Sequence, residues 1–498
     1  MIGAGAVGLA VAITLARRGI PVTVAEAGDA GPIGRDYIAA NDGPNTGVYH
    51  EGIHRGRVKG LGGTTTLWGG QLVPFGQGDF QPAYPGAPAW PVKYDELAPW
   101  FDAAYSFLGL DPRALQQKSV LTRLGIAPDQ FGEGLTFSTH IWLKEPDFTR
   151  LFAEELKTLP SLTILTSTEA LRLEYSKSGR VTGVQCLAGC GADLRIAARQ
   201  VVLANGTMEI SRQLLRSASA DENCPFADNK YIGRGFVDHL HGTVGYLETP
   251  DRARLRTLFD TAFVGTQKFT FKVRASDGLL AEAGISNCAA TINGSTSIRG
   301  LVNDSLALVK RVLTSGGKAG MKDAVTGVLS AARVLIPVAW RYLTERRAYR
   351  FMGNKVYVGL ELEQIPTQKS YLFLDETQHA VNARIGVNWD FDGRELEALR
   401  FLLKNYANSS GELASAILLL TQKFWMLFPL PTWDSMTSTI ISVAQGWQAN
   451  RRTASSTAIC WCSALRTSTS LARQRFRPAA SQIPRSQQSR SLCASPIP

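Results

Sequence analysis

A glycine pattern at the start of the chain restricts its fold more than any other sequence feature. Residues 3–8 read GAGAVG, residues 9–18 (LAVAITLARR) form an apolar helix pattern, and residues 21–25 (PVTVA) predict a strand that ends at Glu26. A strand-to-helix turn of this kind, followed by a second strand, is typical of the βαβ unit of a Rossmann-like domain. We therefore predict such a unit over residues 1–26.

Three glycines and one acid in this unit have separate roles in binding a dinucleotide. Gly3 permits the sharp turn out of the strand, and Gly5 lets the backbone approach a pyrophosphate. Gly8 lets the helix pack close to the sheet, so that the phosphates lie at the positive N-terminal end of the helix. Glu26 is placed to accept a hydrogen bond from a ribose hydroxyl. Together these residues predict a dinucleotide site.

The strand before the glycine turn is unusually short. Only Met1 and Ile2 precede Gly3, whereas such a turn normally leaves the end of a buried strand of about five residues. We expect a truncated N-terminus, through a misplaced start or a shortened chain.

Two further glycine-containing segments also indicate a ligand. Residues 60–71 read GLGGTTTLWGGQ, a composition that lets backbone wrap closely round a cofactor, with the hydroxyls and amides of residues 64–66 available to phosphate. Residues 199–206 (RQVVLANG) predict a buried strand that ends at a glycine, and residues 207–217 predict a helix. This second strand-to-helix turn again places backbone amides near a ligand.

The remaining pattern predicts a second unit inserted into the nucleotide-binding chain. Residues 72–110 are rich in proline and aromatic residues, which predicts a lid or crossing segment rather than regular structure. An amphipathic helix is predicted over residues 148–159 and a β-hairpin over residues 170–186. From residue 242 onward, alternating strands with helical patterns at residues 301–313, 324–345 and 393–407 predict an α+β domain. The predicted domains are residues 1–75 and 155–241 (nucleotide-binding), 76–154 (lid), 242–430 (substrate-binding) and 438–498 (a tail without periodicity, expected to be disordered).

The net charge of +11 is concentrated in the tail. No Asp or Glu follows Asp434, whereas eight arginines lie between Arg451 and Arg490, so the rest of the chain has 45 basic and 42 acidic residues. A surplus confined to the tail argues against a nucleic-acid-binding surface on the folded body.

The number and spacing of the cysteines and the hydropathy of the chain indicate its cellular compartment and whether it spans a membrane. Seven cysteines at irregular spacing give no disulfide framework and no metal-ligand pattern, which favours a reducing compartment. The most apolar runs, residues 334–340 and 416–420, are too short to span a bilayer. We expect a cytoplasmic protein without a transmembrane segment or a metal.

The ordered series of motifs resembles the glucose–methanol–choline (GMC) oxidoreductase family. The matching segments lie in family order over residues 1–430: 3–8 with 26–28, 60–71, 180–184, 201–215, 232–240, 363–366 and 370–375. The resemblance implies an α/β fold, in which a discontinuous FAD-binding Rossmann-like domain carries an inserted α+β substrate domain built on an antiparallel sheet. It also implies oxidation of a CH–OH group of a sugar or other alcohol by hydride transfer to the flavin.

The same resemblance assigns the residues that hold the cofactor. They are Gly3, Gly5, Gly8, Glu26, Ala27, Gly62, Gly63, Thr64, Thr65, Ala170, Ala204 and Gly206. The glycine loop is most similar to that of the sugar-oxidising, pyranose oxidase-like branch. Some members of that branch carry a histidine here that bonds to the flavin, whereas this chain has Leu67. We therefore expect noncovalent FAD. The electron acceptor is not indicated.

The catalytic residues that the family uses are missing from this chain. The family takes its base from a C-terminal H-H/N-x-G-G/T segment, which is paired with a later His or Asn in an N-P-T motif. The last histidine here is His379, and N-P-T occurs nowhere. No catalytic residue is therefore predicted, and the DHLH segment at residues 238–241 is expected to be a structural turn. Two alternatives stay open: an inactive FAD-binding remnant and an NAD(P)-dependent Rossmann dehydrogenase.

A frameshift would account for the missing segment. In the shifted reading frame, each codon consists of the third base of one present codon and the first two bases of the next. In that frame the codons of residues 440–447 are compatible with the sequence HHIGGTRM, and those of residues 482–485 with ANPT. These are the family's motifs in the family's order. We hypothesise a frameshift near residues 437–439, either as a sequencing error or as a lesion of the gene.

Overall fold

The protein, seen in a computed structural model, is described over residues 1–30, 43–54, 56–81, 84–88, 90–127, 134–247, 252–294, 321–349, 356–375, 383–391 and 393–408, together with residues 305, 307 and 310. Its helices are α1 (Ala6–Arg17), α2 (Tyr94–Phe107), α3 (Gln117–Arg123), α4 (Phe148–Leu151), α5 (Ala153–Thr158), α6 (Thr207–Ala220), α7 (Arg252–Phe259), α8 (Asp277–Ala283), α9 (Met321–Glu345) and α10 (Glu395–Asn408). Its strands are β1 (Val22–Ala25), β2 (Asn45–Gly47), β3 (Gln71–Leu72), β4 (Leu135–Trp142), β5 (Leu162–Leu165), β6 (Thr168–Tyr175), β7 (Val181–Ala188), β8 (Asp193–Ala197), β9 (Leu240–Leu247), β10 (Ala262–Val264), β11 (Gln267–Ala275), β12 (Cys288–Gly294), β13 (Val356–Leu362), β14 (Tyr371–Leu374) and β15 (Ile385–Trp389).

The βαβ unit predicted from the glycine pattern is confirmed. β1 and β5 pair in parallel, with Val22 opposite Leu162, and α1 packs against both strands. Ile2 forms parallel bridges to Ala25 on one side and to Leu203 on the other. This short first segment therefore occupies the middle of a small parallel sheet, and α1 leaves that sheet directly after it.

Two smaller three-stranded sheets lie beside this unit. The predicted hairpin is confirmed as β6 and β7, and β8 continues the antiparallel sheet. The other sheet has the order β14-β15-β2, in which β15 and β2 are parallel. α6 packs against β6, β14 and β15, so this one helix connects both sheets.

The second unit is a seven-stranded antiparallel sheet with one apolar and one polar face. Its order is β3-β4-β11-β12-β13-β9, and β10 pairs with β11. Along β11 the side chains of Phe269, Phe271 and Val273 are buried, whereas Thr270 and Lys272 between them lie on the opposite face. Apolar residues of α3, α7, α8 and α10 cover the apolar face. The expected α/β fold with an antiparallel-sheet domain is confirmed.

The segment predicted as an irregular lid contains regular structure. α2 runs through residues 94–107 despite Pro99 in its interior, because one proline removes only one hydrogen bond and the Glu96 carboxylate accepts from the Lys93 amide to stabilise the helix start. β4, at residues 135–142, pairs with β11 along its whole length. The expectation of irregular structure over residues 72–110 was therefore wrong at α2, whereas β4 lies outside that range and was not predicted.

Two other elements differ from their predictions. The buried strand expected over residues 199–206 is reduced to a bridge at Leu203, and Val202 is 40% exposed. The helix expected over residues 148–159 is divided into α4 and α5 at Phe152, whose ring turns inward against Phe148. In both places an apolar run was correctly found, but tertiary contacts set its conformation.

The longest described helix is α9, which has 25 residues and extends the helix predicted over residues 324–345. Among the residues that the structure describes, no helix, α9 included, is long and apolar enough to cross a membrane. The helix predicted over residues 301–313 lies almost entirely outside the described residues. The tail over residues 438–498 lies wholly outside them.

Replacement of Phe269 by alanine tests the core of the large sheet. Phe269 is completely buried, so we expect the substitution to lower the free energy of unfolding by about 3–5 kcal/mol, because it removes apolar contacts and leaves a cavity. Urea denaturation measures the loss. Tyr357→Ala on the exposed side of β13 is the control and should cost about 1 kcal/mol or less; equal losses at both positions would contradict the assignment of the two faces.

Candidate dinucleotide-binding site

The turn between Ile2 and α1 is built from backbone atoms that leave no room for side chains. Gly3 has a φ of +91°, and a Cβ atom on it would lie 2.7 Å from the Cα of Asn205. A Cβ on Gly8 would lie 2.0 Å from the carbonyl oxygen of Gly3. A larger residue at either position would therefore force α1 away from the sheet. The close packing predicted for these two glycines is observed.

Gly5 differs from its neighbours because it faces open space. No atom lies within 4 Å of the position that a Cβ on Gly5 would take. Gly5 is the N-cap of α1, where no side chain caps the helix and no acid occupies the first turn. The first N–H groups of α1 and the positive end of its dipole thus face this space, which is the arrangement that binds phosphate.

The second glycine segment meets the first at this point. The N–H of Gly62 donates to the carbonyl of Ala4 at 2.9 Å. A Cβ on Gly63 would lie 2.9 Å from the Cα of Gly5. Residues 3–8 and 60–66 therefore lie against each other through positions that have no side chain, a contact that the sequence did not predict.

The threonines of this segment do not all have the role that the sequence suggested. The buried Thr65 hydroxyl donates to the carbonyl of Gly62 at 2.6 Å and accepts from the N–H of Phe148 at 3.2 Å. The Thr66 hydroxyl donates to the carbonyl of Gly63. These two hydroxyls stabilise the loop, because a tight turn leaves carbonyls that need donors. The hydroxyl of Thr64 has no hydrogen bond to another described residue, and it is the one left for a ligand.

Glu26 lies where the sequence placed it, at the end of β1, but its carboxylate already has backbone partners. Its Oε2 accepts from the N–H of Ala4 at 2.8 Å, and its Oε1 accepts from Gly28 at 2.9 Å and from Gly60 at 2.8 Å. Burial raises the pKa of Glu26, and the three amides partly offset that rise. Because a carboxylate offers about four acceptor sites, one remains for a ribose hydroxyl. The acid thus joins three chain segments at the site.

The other predicted cofactor residues lie around this centre. Ala27 follows Glu26 directly, and the N–H of Ala204 donates to the carbonyl of Ile2. Gly206 has a φ of +82°, begins α6 and faces open space as Gly5 does. Ala170 lies in β6, at a register shift in its pairing with β7. The contacts of these residues with a cofactor stay predictions.

An ionic network beside the second glycine segment was not found from the sequence. It joins Arg57 to Glu209 at 2.9 Å, Arg212 to Glu169 at 3.0 Å, and Arg212 to Glu209. Burial raises the pKa of Glu209, but the guanidinium groups of Arg212 and Arg57 outweigh it and hold that pKa below its ordinary value. Glu209 and Arg212 follow i, i+3 spacing on α6, but no local pattern indicates that Arg57 meets them. The network fixes the segment leading to Gly60 against α6 and β6.

The polar face of the large sheet begins where the second glycine segment ends. Gln71 of β3 donates from Nε2 to Nδ1 of His140 at 2.9 Å, and the indole N–H of Trp142 donates to the Thr270 hydroxyl at 2.8 Å. The ammonium of Lys268 lies 3.8 Å from the centre of the Trp142 ring. Burial, with smaller contributions from two nearby cations, lowers the pKa of His140 well below its ordinary value. His140 is therefore neutral near pH 7 and can both donate and accept hydrogen bonds.

The DHLH segment forms a structural cluster. Asp238 accepts from His50 Nε2 at 3.0 Å and from the N–H of His239 at 2.8 Å, and its own N–H donates to Gln364. Burial raises the pKa of Asp238, but the hydrogen bonds from His239 and His50 lower it well below its ordinary value. The carboxylate therefore stays charged and holds the loop after β2 against the start of β9, consistent with the expected structural turn.

Comparison with known proteins gives one family match. Residues 1–225 match the family described as FAD dependent oxidoreductase, whose members are enzymes. All the predicted cofactor residues, the two glycine segments and the N-terminus of α6 lie within the matched range. No characterised protein compared by sequence matches the chain.

Three of the solved structures that match this chain cover most of its length at low sequence identity. A formate oxidase has a TM-score of 0.45 and 16% identity, with 89% of this chain and 85% of that chain covered. An FAD-dependent oxidoreductase from Chaetomium thermophilum has a TM-score of 0.44 and 13% identity, covering 84% and 81%. A fungal aryl-alcohol oxidase has a TM-score of 0.42 and 13% identity, covering 89% and 86%.

Removal of the Glu209 charge tests the ionic network. We expect Glu209→Gln to lower the free energy of unfolding by about 3 kcal/mol at neutral pH, because Arg57 and Arg212 lose a buried partner. Since the folded-state pKa is depressed, this contribution is complete above the ordinary pKa of 4.5 and is lost as the pH falls through the folded-state value. Urea denaturation from neutral to acidic pH measures both effects.

The control for this substitution is Glu154→Gln on the exposed side of α5, which should change stability by about 0.5 kcal/mol or less. A Glu209 variant as stable as the wild type at neutral pH would show that the network contributes nothing.

Proposed function

We propose that this chain is an FAD-dependent oxidoreductase that acts on CH–OH groups of sugars or other alcohols. The observation that carries the proposal is the meeting of Gly5 and Gly63 at the uncapped N-terminus of α1, which leaves backbone amides and open space for a pyrophosphate. The family match over residues 1–225, which contains this site, supports FAD as the dinucleotide.

The described residues fit an FAD molecule in three parts. The amides after Gly5 and the Thr64 hydroxyl would hold the pyrophosphate, and the remaining acceptor site of Glu26 would hold the adenosine ribose. Ala170, Ala204 and Gly206 would line the adenosine side. The cofactor would be held without a covalent bond, because Leu67 has no nucleophilic atom. When bound, FAD supplies the acceptor for a hydride from the substrate.

The polar face of the large sheet supports a hydroxylated substrate. Gln71, His140, Thr270 and Trp142 offer neutral donors and acceptors directly beyond the glycine segment. Side-chain amide, imidazole and hydroxyl groups are suited to several hydroxyls at once, because each both donates and accepts or can be reoriented to do so.

Oxidation of an alcohol also needs a base for the hydroxyl proton. We propose that this base belongs to the segment that the frameshift hypothesis restores after residue 437, and that the chain as written is an FAD-binding protein with little or no turnover. The specific observation behind this second candidate function is that no histidine follows residue 379.

Replacement of Gly5 by alanine tests the cofactor site. Gly5 has a φ of −78°, which alanine adopts freely, and its Cβ would enter open space. We therefore expect the fold to keep its stability while the affinity for FAD falls at least about tenfold, which corresponds to 1.4 kcal/mol, because the Cβ blocks the approach of the pyrophosphate. Flavin absorbance of the purified protein and FAD titration measure this.

Gly278→Ala is the matched control, because that exposed glycine in α8 also faces open space and lies far along the chain from the site. Both variants should unfold at the same temperature as the wild type. Equal FAD content in all three proteins would contradict the proposed site. A chain without flavin that depends on a nicotinamide cofactor would support the dehydrogenase alternative.

A turnover assay tests the reaction and the reading frame together. We expect a chain with the frame restored near residues 437–439 to reduce its flavin in the presence of a sugar or alcohol from a broad panel, and the chain as written to bind FAD without reducing it. Anaerobic bleaching of the flavin measures both. Bleaching of the flavin by the chain as written would show that its catalytic base lies elsewhere. If resequencing of the gene yields no reading frame that encodes H-H-x-G-G-T, the frameshift hypothesis is wrong.

A further inference from the structure

An apolar stripe on α9 faces solvent. Leu329, Ile336, Trp340 and Leu343 are 58%, 64%, 66% and 69% exposed. Their spacings of seven, four and three residues place all four on one side of the helix. The exposed Arg333 lies on the same side. Large apolar side chains normally face the core of a soluble protein, so a continuous row of four on the outside indicates a binding surface.

The orientation of this stripe is fixed by contacts on the other side of the helix. Ala331 is buried, and Arg341 forms an ion pair with the fully buried Asp260 at 3.4 Å. The Tyr342 ring packs edge-on against Phe263 at 5.4 Å, and the N–H of Phe263 donates to the carbonyl of Arg346. α9 is therefore attached to β10 by its inner side, and the stripe cannot turn inward without breaking these contacts.

Basic residues outnumber acidic ones in the stretch of sequence that contains the stripe. Residues 301–350 contain nine lysines or arginines and three acids, whereas the rest of the chain before the arginine-rich tail contains 36 basic and 39 acidic residues. Arg333 within the stripe and Arg346 directly after the helix are both exposed. Among the described residues, two exposed cations therefore accompany the apolar row, with Glu345 as an exposed acid beside Arg346.

We propose that the outer side of α9 docks on the surface of an anionic lipid bilayer. An exposed apolar row with tryptophan, flanked by arginines, is the pattern of a helix that lies in the membrane interface, with its apolar side chains among the acyl chains and its cations at the headgroups. A second copy of the chain fits less well, because a single-helix stripe of about 21 Å offers much less than the roughly 800 Å² per partner that a stable dimer buries.

Vesicle flotation of the full-length chain tests the proposal. We expect binding to phosphatidylcholine vesicles that contain phosphatidylserine, and much weaker binding to phosphatidylcholine alone. The triple variant Ile336→Gln, Trp340→Gln and Leu343→Gln should bind at least about tenfold more weakly, because it removes the apolar row while keeping good helix formers. Arg333→Gln should weaken binding to the anionic vesicles by about fivefold and leave binding to neutral vesicles unchanged.

Trp100→Gln is the matched control, because Trp100 of α2 is 65% exposed, as Trp340 is, but belongs to no such row. It should bind as the wild type does. All variants retain the arginine-rich tail, so equal binding of the triple variant and the wild type would assign the interaction to the tail and overturn the proposal. The absence of wild-type binding would also overturn it, as would a dimer in light scattering that the triple variant loses. If the triple variant unfolds, the binding of Arg333→Gln to anionic vesicles still decides the proposal, because wild-type binding by this variant would overturn it.

Discussion

The structure of the nucleotide-binding unit depends on close backbone approach at a few glycines. Gly3 and Gly8 bring α1 against the turn, and Gly63 brings the second glycine segment against Gly5. At each contact a Cβ would fall well inside van der Waals distance of backbone atoms, which cannot move aside as a side chain can. Glu26 then joins the same segments through three amide hydrogen bonds. The open space at Gly5 lies directly beside these contacts, since Gly63 approaches the backbone of Gly5 itself.

Local periodicity and turn chemistry were enough to predict the elements whose conformation is set within a short stretch of chain. These are α1, β1, the hairpin of β6 and β7, and α9. Prediction failed where distant partners decide the outcome. No strand was predicted at β4, which is paired along its whole length by β11, a strand more than 120 residues away in the sequence. From the sequence, the Thr65 hydroxyl was expected to be available to phosphate. In the structure it accepts a hydrogen bond from the N–H of Phe148, a residue distant in the sequence.

The two faces of the large sheet show how one pattern supplies both stability and chemistry. Alternation along β4 and β11 sends phenylalanines to the helices and polar residues to the other side. Because antiparallel pairing places His140 directly opposite Thr270, and β3 brings Gln71 next to them, three polar side chains from separate strands meet in one place. The sequence predicted alternating strands from residue 242 onward, but neither β3 and β4 nor the register, which depends on which strands become neighbours.

The outward position of the α9 stripe has an energetic reason. Apolar side chains gain free energy by leaving water only where the fold offers an apolar surface to bury them against. A rotation of α9 that turned the row inward would withdraw Arg341 from Asp260, which is fully buried, and would leave a carboxylate without its guanidinium. Removing one partner of a buried ion pair lowers the free energy of unfolding by about 3–5 kcal/mol. The loss of the contact between the Tyr342 and Phe263 rings would lower it further. The inner side of α9 is thus held by an ion pair and an aromatic contact, which keep the apolar row facing outward.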